Sequence, residues 1–453
     1  MTAGAPRVAV VGGGITGLVA AYRVRTALGP DAQITIVEAS DRLGGTLRTV
    51  DIAGGPLDVG AEAFIGRRPE VPELMAELGI TDQLVHPAGK RPSIYSGGEL
   101  HPMPAGTLMG IPATASSMRG LVEESTLRRI EDDATSAFKW TPGSDVSVAE
   151  LVGGRFGEQV LRRSVDPLLG GVYSGLSDSI GVRAALPTLA AALDSGAPNL
   201  SAAVAAALPT PSAGPVFGAL RGGYSALVDA LIAATDSITV LGTRVSSLIG
   251  ERRGWRVDPV GHFDVVILAV PAPSLSAILA DTVPDAADAA ADIELASSVV
   301  VAMSVPGDTE LPDNSGVLVA TDAGLSAKAF TFSSRKWTHL ATRDTVLLRA
   351  SLGRFGDDGP LDLTDEQLVE SAVRDLATVT GLEIRPNSTV VQRWRGGLPQ
   401  YAPGHLDRVA DIEAAVRDVP GLAVAGAWSH GVGVPACVAS ATRAAAHVCE
   451  VAR

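Results

Sequence analysis

The stretch VAVVGGGITGLVAAYRV, residues 8–24, constrains the fold more than any other in the chain. Val8 to Val11 form an apolar run of the kind that becomes a buried parallel strand, and Gly12, Gly14 and Gly17 then fall on the G-x-G-x-x-G spacing that opens a helix. Each glycine answers a separate demand: a tight turn, close approach of a pyrophosphate to bare main chain, and close packing of helix on strand. The amides of the helix start then face the anion. A second apolar run, QITIV (33–37), leads straight into Glu38, about twenty residues past the last glycine, where an acceptor for ribose hydroxyls belongs. An acid there favours a free 2′-hydroxyl over a 2′-phosphate.

The next residues, ASDRLGGTLRT (39–49), part a flavin reading from a nicotinamide one. An ordinary dehydrogenase would go on to its next helix, whereas here Arg42, Gly44, Gly45 and Thr46 stand where they can meet the same pyrophosphate.

At 453 residues, 46% of them hydrophobic and 19% charged, the chain is long enough for two or three subdomains and too apolar for disorder. Aromatic residues make up 4%, so aliphatic packing builds the core. A net charge of −14 argues against a nucleic-acid surface, which needs a basic face, and leaves anionic ligands to local Arg or Lys clusters. Cys437 and Cys449 lack C-x-x-C spacing and are expected as buried thiols. The seven histidines show no metal-ligand spacing, so no metal centre is expected. The first strand begins too early for a signal peptide to precede it, and no uncharged apolar run reaches the length of a membrane span. These features predict a soluble cytoplasmic protein.

Residues 69–84 predict a helix ended by Gly79, and SIYSGGELHPMP (93–104) predicts a hairpin around Gly97 and Gly98. From about Met109 to Leu208 helix formers with Pro and Gly breaks predominate, as in a helical insertion. A Pro/Gly-rich linker (208–223) then precedes a helix from Tyr224 to Ala234, after which SITVLGTRVSSLIGERRGWRVD (237–258) offers two strands and a turn. Buried or alternating runs follow at FDVVILAV (263–270), SSVVVAMSV (297–305), SGVLVA (315–320) and DTVLLRASL (344–352), with one clear helix at 365–381. The chain closes on strand, glycine-rich turn and helix. The fold class is therefore α/β: a discontinuous Rossmann-like nucleotide domain with a mixed-sheet substrate domain and a helical insertion. The expected divisions are 1–88, 209–292 and 401–453 for the nucleotide domain, 89–208 for the helical insertion over the substrate access, and 293–400 for substrate binding.

The segments VVGGGITGL, VEASDRLGGTLRT, LDVGAEAF, YSGGELHPMP, DPLLGGVYSG, RWRGGLPQYAPGH and GVGVPACVASA resemble the flavin-containing amine oxidase superfamily. More narrowly, they resemble its FAD-dependent protoporphyrinogen/coproporphyrinogen III oxidases of haem synthesis, of the actinobacterial coproporphyrinogen type. The resemblance spans essentially the whole chain. Its first two segments are shared by many flavoproteins, and the porphyrinogen likeness rests on LLGGVYSG, LPQYAPGH and GVGVPAC. It implies that Gly12, Gly13, Gly14, Ile15, Thr16 and Gly17 hold the FAD pyrophosphate, that Glu38 and Ala39 meet the adenosine ribose, and that Arg42, Gly45 and Thr46 meet the phosphates. Gly60, Ala61, Glu62 and Ala63 would run beside the isoalloxazine, and Val245 would contact adenine through its backbone. Trp394 and the turn Val432, Gly433, Val434 would border the flavin, the turn offering amides to its pyrimidine end. Ala441 stands where relatives carry a glycine, which implies a slightly adjusted helix start.

The resemblance also implies a chemistry. A bridge carbon of a porphyrinogen delivers hydride to flavin N5, O2 reoxidises the flavin to give hydrogen peroxide, and three rounds remove six electrons. No protein group is assigned as catalytic, since the cofactor carries the redox step and the sequence offers no nucleophile-base-acid set. Arg91 lies near a mouth arginine of relatives, Gly170 and Gly171 would let the macrocycle lie against backbone, and Tyr173 would line the slot. Lys328, Arg335 and Lys336 are further cations for propionates. Read without relatives, Arg91 is equally a solvated surface charge, Gly170–Gly171 a helix-ending pair and Trp394 a core aromatic. Coproporphyrinogen III carries four propionates and asks for more cations, whereas protoporphyrinogen IX, with two propionates and two vinyls, asks for a greasier slot. An acidic chain without a span suits the more water-soluble of the two, and an Ala- and Arg-rich composition suggests a high-GC bacterial source, for which the resemblance implies the coproporphyrinogen route. The alternatives are a protoporphyrinogen IX oxidase, a flavin amine oxidase and a non-redox FAD protein. Expected partners are the porphyrinogen and O2, with no nucleic acid; contact with a membrane surface, transient docking to the next enzyme of haem synthesis and the oligomeric state stay open.

Overall fold

The computed structural model describes residues 5–210, 214–341 and 344–453, so Pro211, Ser212 and Ala213 of the linker lie outside the described residues. The apolar run after Arg7 is sealed, Val8 and Val10 being 0% exposed, because Arg7–Val11 is the middle strand of an all-parallel five-stranded sheet. Its order is Ile238–Val240, Gln33–Val37, Arg7–Val11, Val265–Leu268, Leu422–Val424. In register, Val8 stands between Ile34 and Val265, so three separated stretches of chain rebuild one sheet. The helix Ile15–Leu28 lies on one face, packed against the long C-terminal helix Val434–Ala452. The other face is covered by Ala272–Leu279 and Pro284–Ala291.

The 237–258 stretch differs from the expected pair of strands. Besides Ile238–Val240, which joins the parallel sheet, Ser247–Gly250, Trp255–Asp258 and Gly261–Phe263 form an antiparallel meander of their own. A turn closed by the Glu251 amide on the Gly254 carbonyl (3.0 Å) joins the first two of these, so the stretch 237–258 holds three strands where two were expected. Cys437 and Cys449 are buried free thiols. Ala441 is 0% exposed and sits well inside the Val434–Ala452 helix, whose N-cap is Gly433 and whose first turn carries Pro435.

A second sheet has seven strands in the order Ser388–Pro399, Leu295–Pro306, Thr345–Leu352, Ala327–Thr331, Gly316–Val319, Ser93–Ser96, Glu99–Pro102. All neighbours are antiparallel except Gly316–Val319 with Ser93–Ser96. The hairpin at its edge turns on Gly97 (φ 61°) and Gly98 (φ 87°), the paired left-handed conformation of a type I′ turn. The helix Asp365–Thr380, held at its start by a Thr364–Gln367 capping box, seals one face over Val301, Ala350 and Phe330. The opposite face is not sealed. Across four adjacent strands Gln392, Val300, Ser351 and Ala329 stand in one row and are all only half-buried. Central-strand side chains are left half-exposed when a hollow lies over them. The row continues to Leu318 and Ile94, which the helical insertion covers. Within that insertion the helix Asp166–Tyr173 runs straight through Gly170 and Gly171 and stops at Ser174 (φ 50°), so the glycine pair does not end it.

Candidate functional site

The two glycine turns meet. Gly44 donates its amide to the Gly13 carbonyl (2.8 Å), and a Cβ on Gly45, whose φ is 58°, would fall 2.9 Å from the Gly14 Cα. Gly17 is needed for packing, since a Cβ there would sit 1.8 Å from the Gly12 carbonyl oxygen. Gly14 is different: its Cβ direction is open, with the Gly45 Cα at 3.9 Å the nearest atom. Gly14 is also the N-cap of the Ile15–Leu28 helix, and no side chain caps that end. The same holds for Gly433 at the Val434–Ala452 helix. Two long helices thus present uncapped amides from glycine, the arrangement that receives phosphate or carbonyl oxygen from a ligand. Ile15 and Thr16 are buried behind the first of these ends.

Glu38, at the end of Gln33–Val37, accepts from the Gly13 amide through Oε2 and from the Ser40 amide through Oε1, both at 2.7 Å. Each oxygen keeps lone-pair capacity for hydroxyl donors. The backbone of Glu38 also holds the Thr243 amide (2.9 Å), which brings the 242–245 loop and Val245 alongside, while Ala39 is exposed. Arg42 is a brace more than a free cation: its guanidinium donates to the carbonyls of Leu43, Leu47 and Gly45, lies 5.9 Å from the Trp394 ring, and is lowered in pKa chiefly by burial. Thr46 is exposed, and its carbonyl occupies the space a Gly60 Cβ would take, 1.9 Å away.

Gly60, Ala61, Glu62 and Ala63 are all half-buried, between sealed Val59 and sealed Phe64, so this stretch has one open side. It is fastened from the seven-stranded sheet. Trp394 Nε1 donates to the Val59 carbonyl (2.9 Å), and Arg349 donates to the Asp58 carbonyl (2.6 Å). The Glu62 carboxylate receives Lys336 Nζ (2.6 Å) and Arg349 (3.0 Å). Burial pushes its pKa up, but the two cations outweigh burial and hold it at about 2. Lys336 is therefore ion-paired to Glu62, while Arg335 donates once to the Leu311 carbonyl.

On the other side of the hollow, Tyr173 is buried and its ring is 5.5 Å from that of Tyr401. Tyr401, stacked on His405 at 3.9 Å, donates its hydroxyl to the Ala427 carbonyl and accepts the Gly431 amide. The end of the Asp166–Tyr173 helix is thereby joined to the turn carrying Val432, Gly433 and Val434. Gly170 is buried, whereas Gly171 is exposed with nothing within 4 Å of its Cβ direction. Arg91 is exposed, and its carbonyl accepts the Ser315 amide at the rim of the sheet. Lys328, a candidate cation for propionates, is 5% exposed.

Sequence reading missed the Arg349–Glu62 pairing and the Asp58 tie. One signal was present: Arg349 interrupts the apolar run VLLRASL, and a cation there requires a buried partner. Asp58 accepts from Thr49 Oγ1 (2.6 Å) and from the amide of Tyr224 (3.0 Å) at the start of Ser225–Thr235.

A parallel nucleotide sheet, two uncapped glycine helix starts and an adjoining hollow over a mixed sheet define a flavin-dependent oxidoreductase. The chain belongs to the flavin containing amine oxidoreductase family, whose pattern matches residues 15–449. It is 52% identical over 445 residues to a coproporphyrinogen III oxidase of Mycobacterium tuberculosis, covering 97% of each chain. It is 50% identical over 449 residues to that of Mycobacterium leprae, covering 98% of each. A solved structure of an Exiguobacterium sp. 255-15 protein superposes with a TM-score of 0.87 at 30% identity, over 98% of this chain and 99% of that one.

The cofactor of this family is FAD, and the residues present fit it. Among the glycines of the first turn, Gly14 alone has an open Cβ direction, and it lies at an uncapped helix start beside Gly45.

Proposed function

We infer that this chain oxidises coproporphyrinogen III to coproporphyrin III, with FAD as cofactor and O2 as electron acceptor. Its near full-length identity with the mycobacterial enzymes carries the reading, and the geometry supports it. Held between the two glycine turns, FAD would supply two-electron chemistry: in each round a hydride leaves a methylene bridge and a proton leaves a pyrrole nitrogen, and the two electrons with two protons reduce O2 to hydrogen peroxide.

What the chain contributes is position, dryness and charge. The amides from Gly13 to Ile15 would meet the pyrophosphate, with Thr16 and Gly17 securing the helix behind them. A charge-assisted hydrogen bond of this kind contributes about 1.5–3 kcal/mol. Glu38 would hold the ribose hydroxyls and the Val245 loop the adenine. Arg42 would act through the loop it braces, keeping Gly45 and Thr46 against Gly14. Trp394 and the Arg349–Glu62–Lys336 cluster fix the 58–63 stretch, so the flavin-side wall cannot shift as substrate enters. The uncapped amides at Gly433 and Val434 would face the pyrimidine end, where reduction places negative charge. The floor row Gln392, Val300, Ser351 and Ala329 gives a flat surface for the macrocycle, with Gly171 and Tyr173 at its side. Arg91 would stand at the mouth.

The test is aerobic incubation of FAD-loaded protein with coproporphyrinogen III and, separately, protoporphyrinogen IX, reading porphyrin fluorescence. Coproporphyrinogen III is expected to be turned over with the higher kcat/KM. Rates no greater than the no-enzyme control with either compound would overturn the reading, and a preference for protoporphyrinogen IX would reassign the substrate.

A further inference from the structure

Lys328 is the odd residue of a β-bulge. In the Ala327–Thr331 strand, Ala327 pairs with Leu352 and Ala329 with Ser351, so Lys328 has no ladder partner and its side chain is re-aimed. It is buried, and its Nζ donates to Ser174 Oγ (2.7 Å) and to the Gly353 carbonyl (2.5 Å), which leaves one N–H unspent. Both acceptors are neutral. Among the described residues, no carboxylate lies within ion-pair distance of Lys328, and the half-buried Arg354 beside it has no side-chain hydrogen bond or ion pair at all.

Two neighbouring cations therefore share a desolvated place without an anion between them. Burial, and then Arg354, pull the Lys328 ammonium down to about 7, while Asp357 opposes them. Burial likewise lowers Arg354 against Asp166 and Asp357. Neither acid fills the gap. Asp166 accepts from the Ser177 amide and the Thr321 hydroxyl and makes no ion pair with either cation, and Asp357 is exposed.

Their place in the fold is specific. Ser174 caps the Asp166–Tyr173 helix beside the hollow, and Gly353 lies against Ser298, the residue opposite Trp394. Lys328 is thus three strands across the floor from Trp394, about 14 Å at the usual strand spacing. We propose that Lys328 and Arg354 together receive one carboxylate of the substrate, at the edge of the hollow remote from Trp394. This rests on the porphyrinogen reading and adds the residues that choose a propionate over a vinyl group at that edge. A carboxylate there supplies the missing anion, takes the spare N–H of Lys328, and offers its second oxygen to the Arg354 guanidinium. A vinyl group would leave both cations desolvated and unpaired.

The experiment uses FAD-loaded Lys328→Met, Arg354→Gln and Arg354→Lys. It measures kcat and KM for coproporphyrinogen III, and equilibrium binding of coproporphyrin III and of its tetramethyl ester. Lys328→Met and Arg354→Gln are each expected to raise KM and weaken binding of the acid about tenfold, the scale of one charge-assisted hydrogen bond, with kcat held within about threefold. Ester binding should not change, and Arg354→Lys should recover part of the loss. Equal weakening of acid and ester would mean that Lys328 only ties the helix end to the 353 turn, and would overturn the proposal. So would an unchanged KM in both variants. If Lys328→Met does not fold, Arg354→Gln decides alone, because its side chain reaches solvent. Failure of the unmodified protein to oxidise any porphyrinogen would end the underlying reading instead.

Discussion

Gly14 and Gly17 differ in what a methyl group would meet, and the difference separates binding from folding. At Gly14 the Cβ direction is open and φ is −71°, so the unliganded chain tolerates a side chain. At Gly17 the Gly12 carbonyl fills the place at 1.8 Å. Gly14→Val is therefore expected to purify folded and colourless, with a Tm close to that of wild-type apoprotein, while Gly17→Ala unfolds or aggregates. Full flavin absorbance in Gly14→Val would refute the cradle. Glu62 gives a second prediction. Removing it as Glu62→Ala leaves two cations unpaired and should cost about 3–5 kcal/mol by denaturant unfolding. Because its folded pKa is about 2, below the usual 4.5, this stabilisation is complete above pH 4.5 and is lost as pH falls through 2. Wild type and Glu62→Gln should thus converge in stability only in strong acid. The glycine turn and the Glu38 carboxylate that closes on it were legible because that corner is built from local chain. Arg349 and Lys328 were not assigned their places, because what a buried cation pairs with is decided by strands far away in sequence.

The tie between the Pro56–Asp58 strand and the helix Ser225–Thr235 carries its own pH signature. Burial is the largest influence on Asp58 and raises its pKa from 3.8 to about 6, against the lowering from Thr49, Tyr224 and Arg349. A raised folded pKa means that the folded state holds the proton more tightly, so stability is highest below pH 3.8 and falls as pH rises to 6, by about 3 kcal/mol at most. Asp58→Asn keeps an oxygen acceptor without the charge, and its urea midpoint relative to wild type should rise over that window. A constant difference between the two would remove Asp58 as the titrating group. Among the elements, periodicity found the hairpin at Gly97 and Gly98 and the helix Asp365–Thr380, whose signals are local. It found two strands in 237–258 where the structure has three, because Ile238–Val240 and Ser247–Gly250 are short and pair with different sheets. The rival reading of Gly170 and Gly171 as a helix-ending pair is set aside by the Asp166–Tyr173 helix: its cap is Ser174, which Lys328 and the Phe355 amide hold in place.

At the scale of the molecule, strand order and register are tertiary properties, so the five-stranded sheet could be expected in outline but not the pairing that makes it. The hollow was beyond reach for the same reason, since its floor unites Gln392, Val300, Ser351 and Ala329 from four strands. The proposed FAD contacts likewise run from residue 12 to residue 434, so the cofactor would bridge distant parts of the chain. At a thousandfold excess over its Kd, FAD should add about 4 kcal/mol to the stability of the apoprotein and raise its Tm accordingly. An unchanged Tm with excess FAD would contradict that bridging. The central claim is that substrate electrons pass to a flavin held by this chain, and anaerobic mixing tests it most directly. Coproporphyrinogen III added to the FAD-loaded protein without O2 should bleach the flavin absorbance within one turnover, and admitting air should restore it with release of hydrogen peroxide. A flavin that stays oxidised while porphyrinogen is consumed, or that bleaches with neither porphyrinogen, would contradict the account.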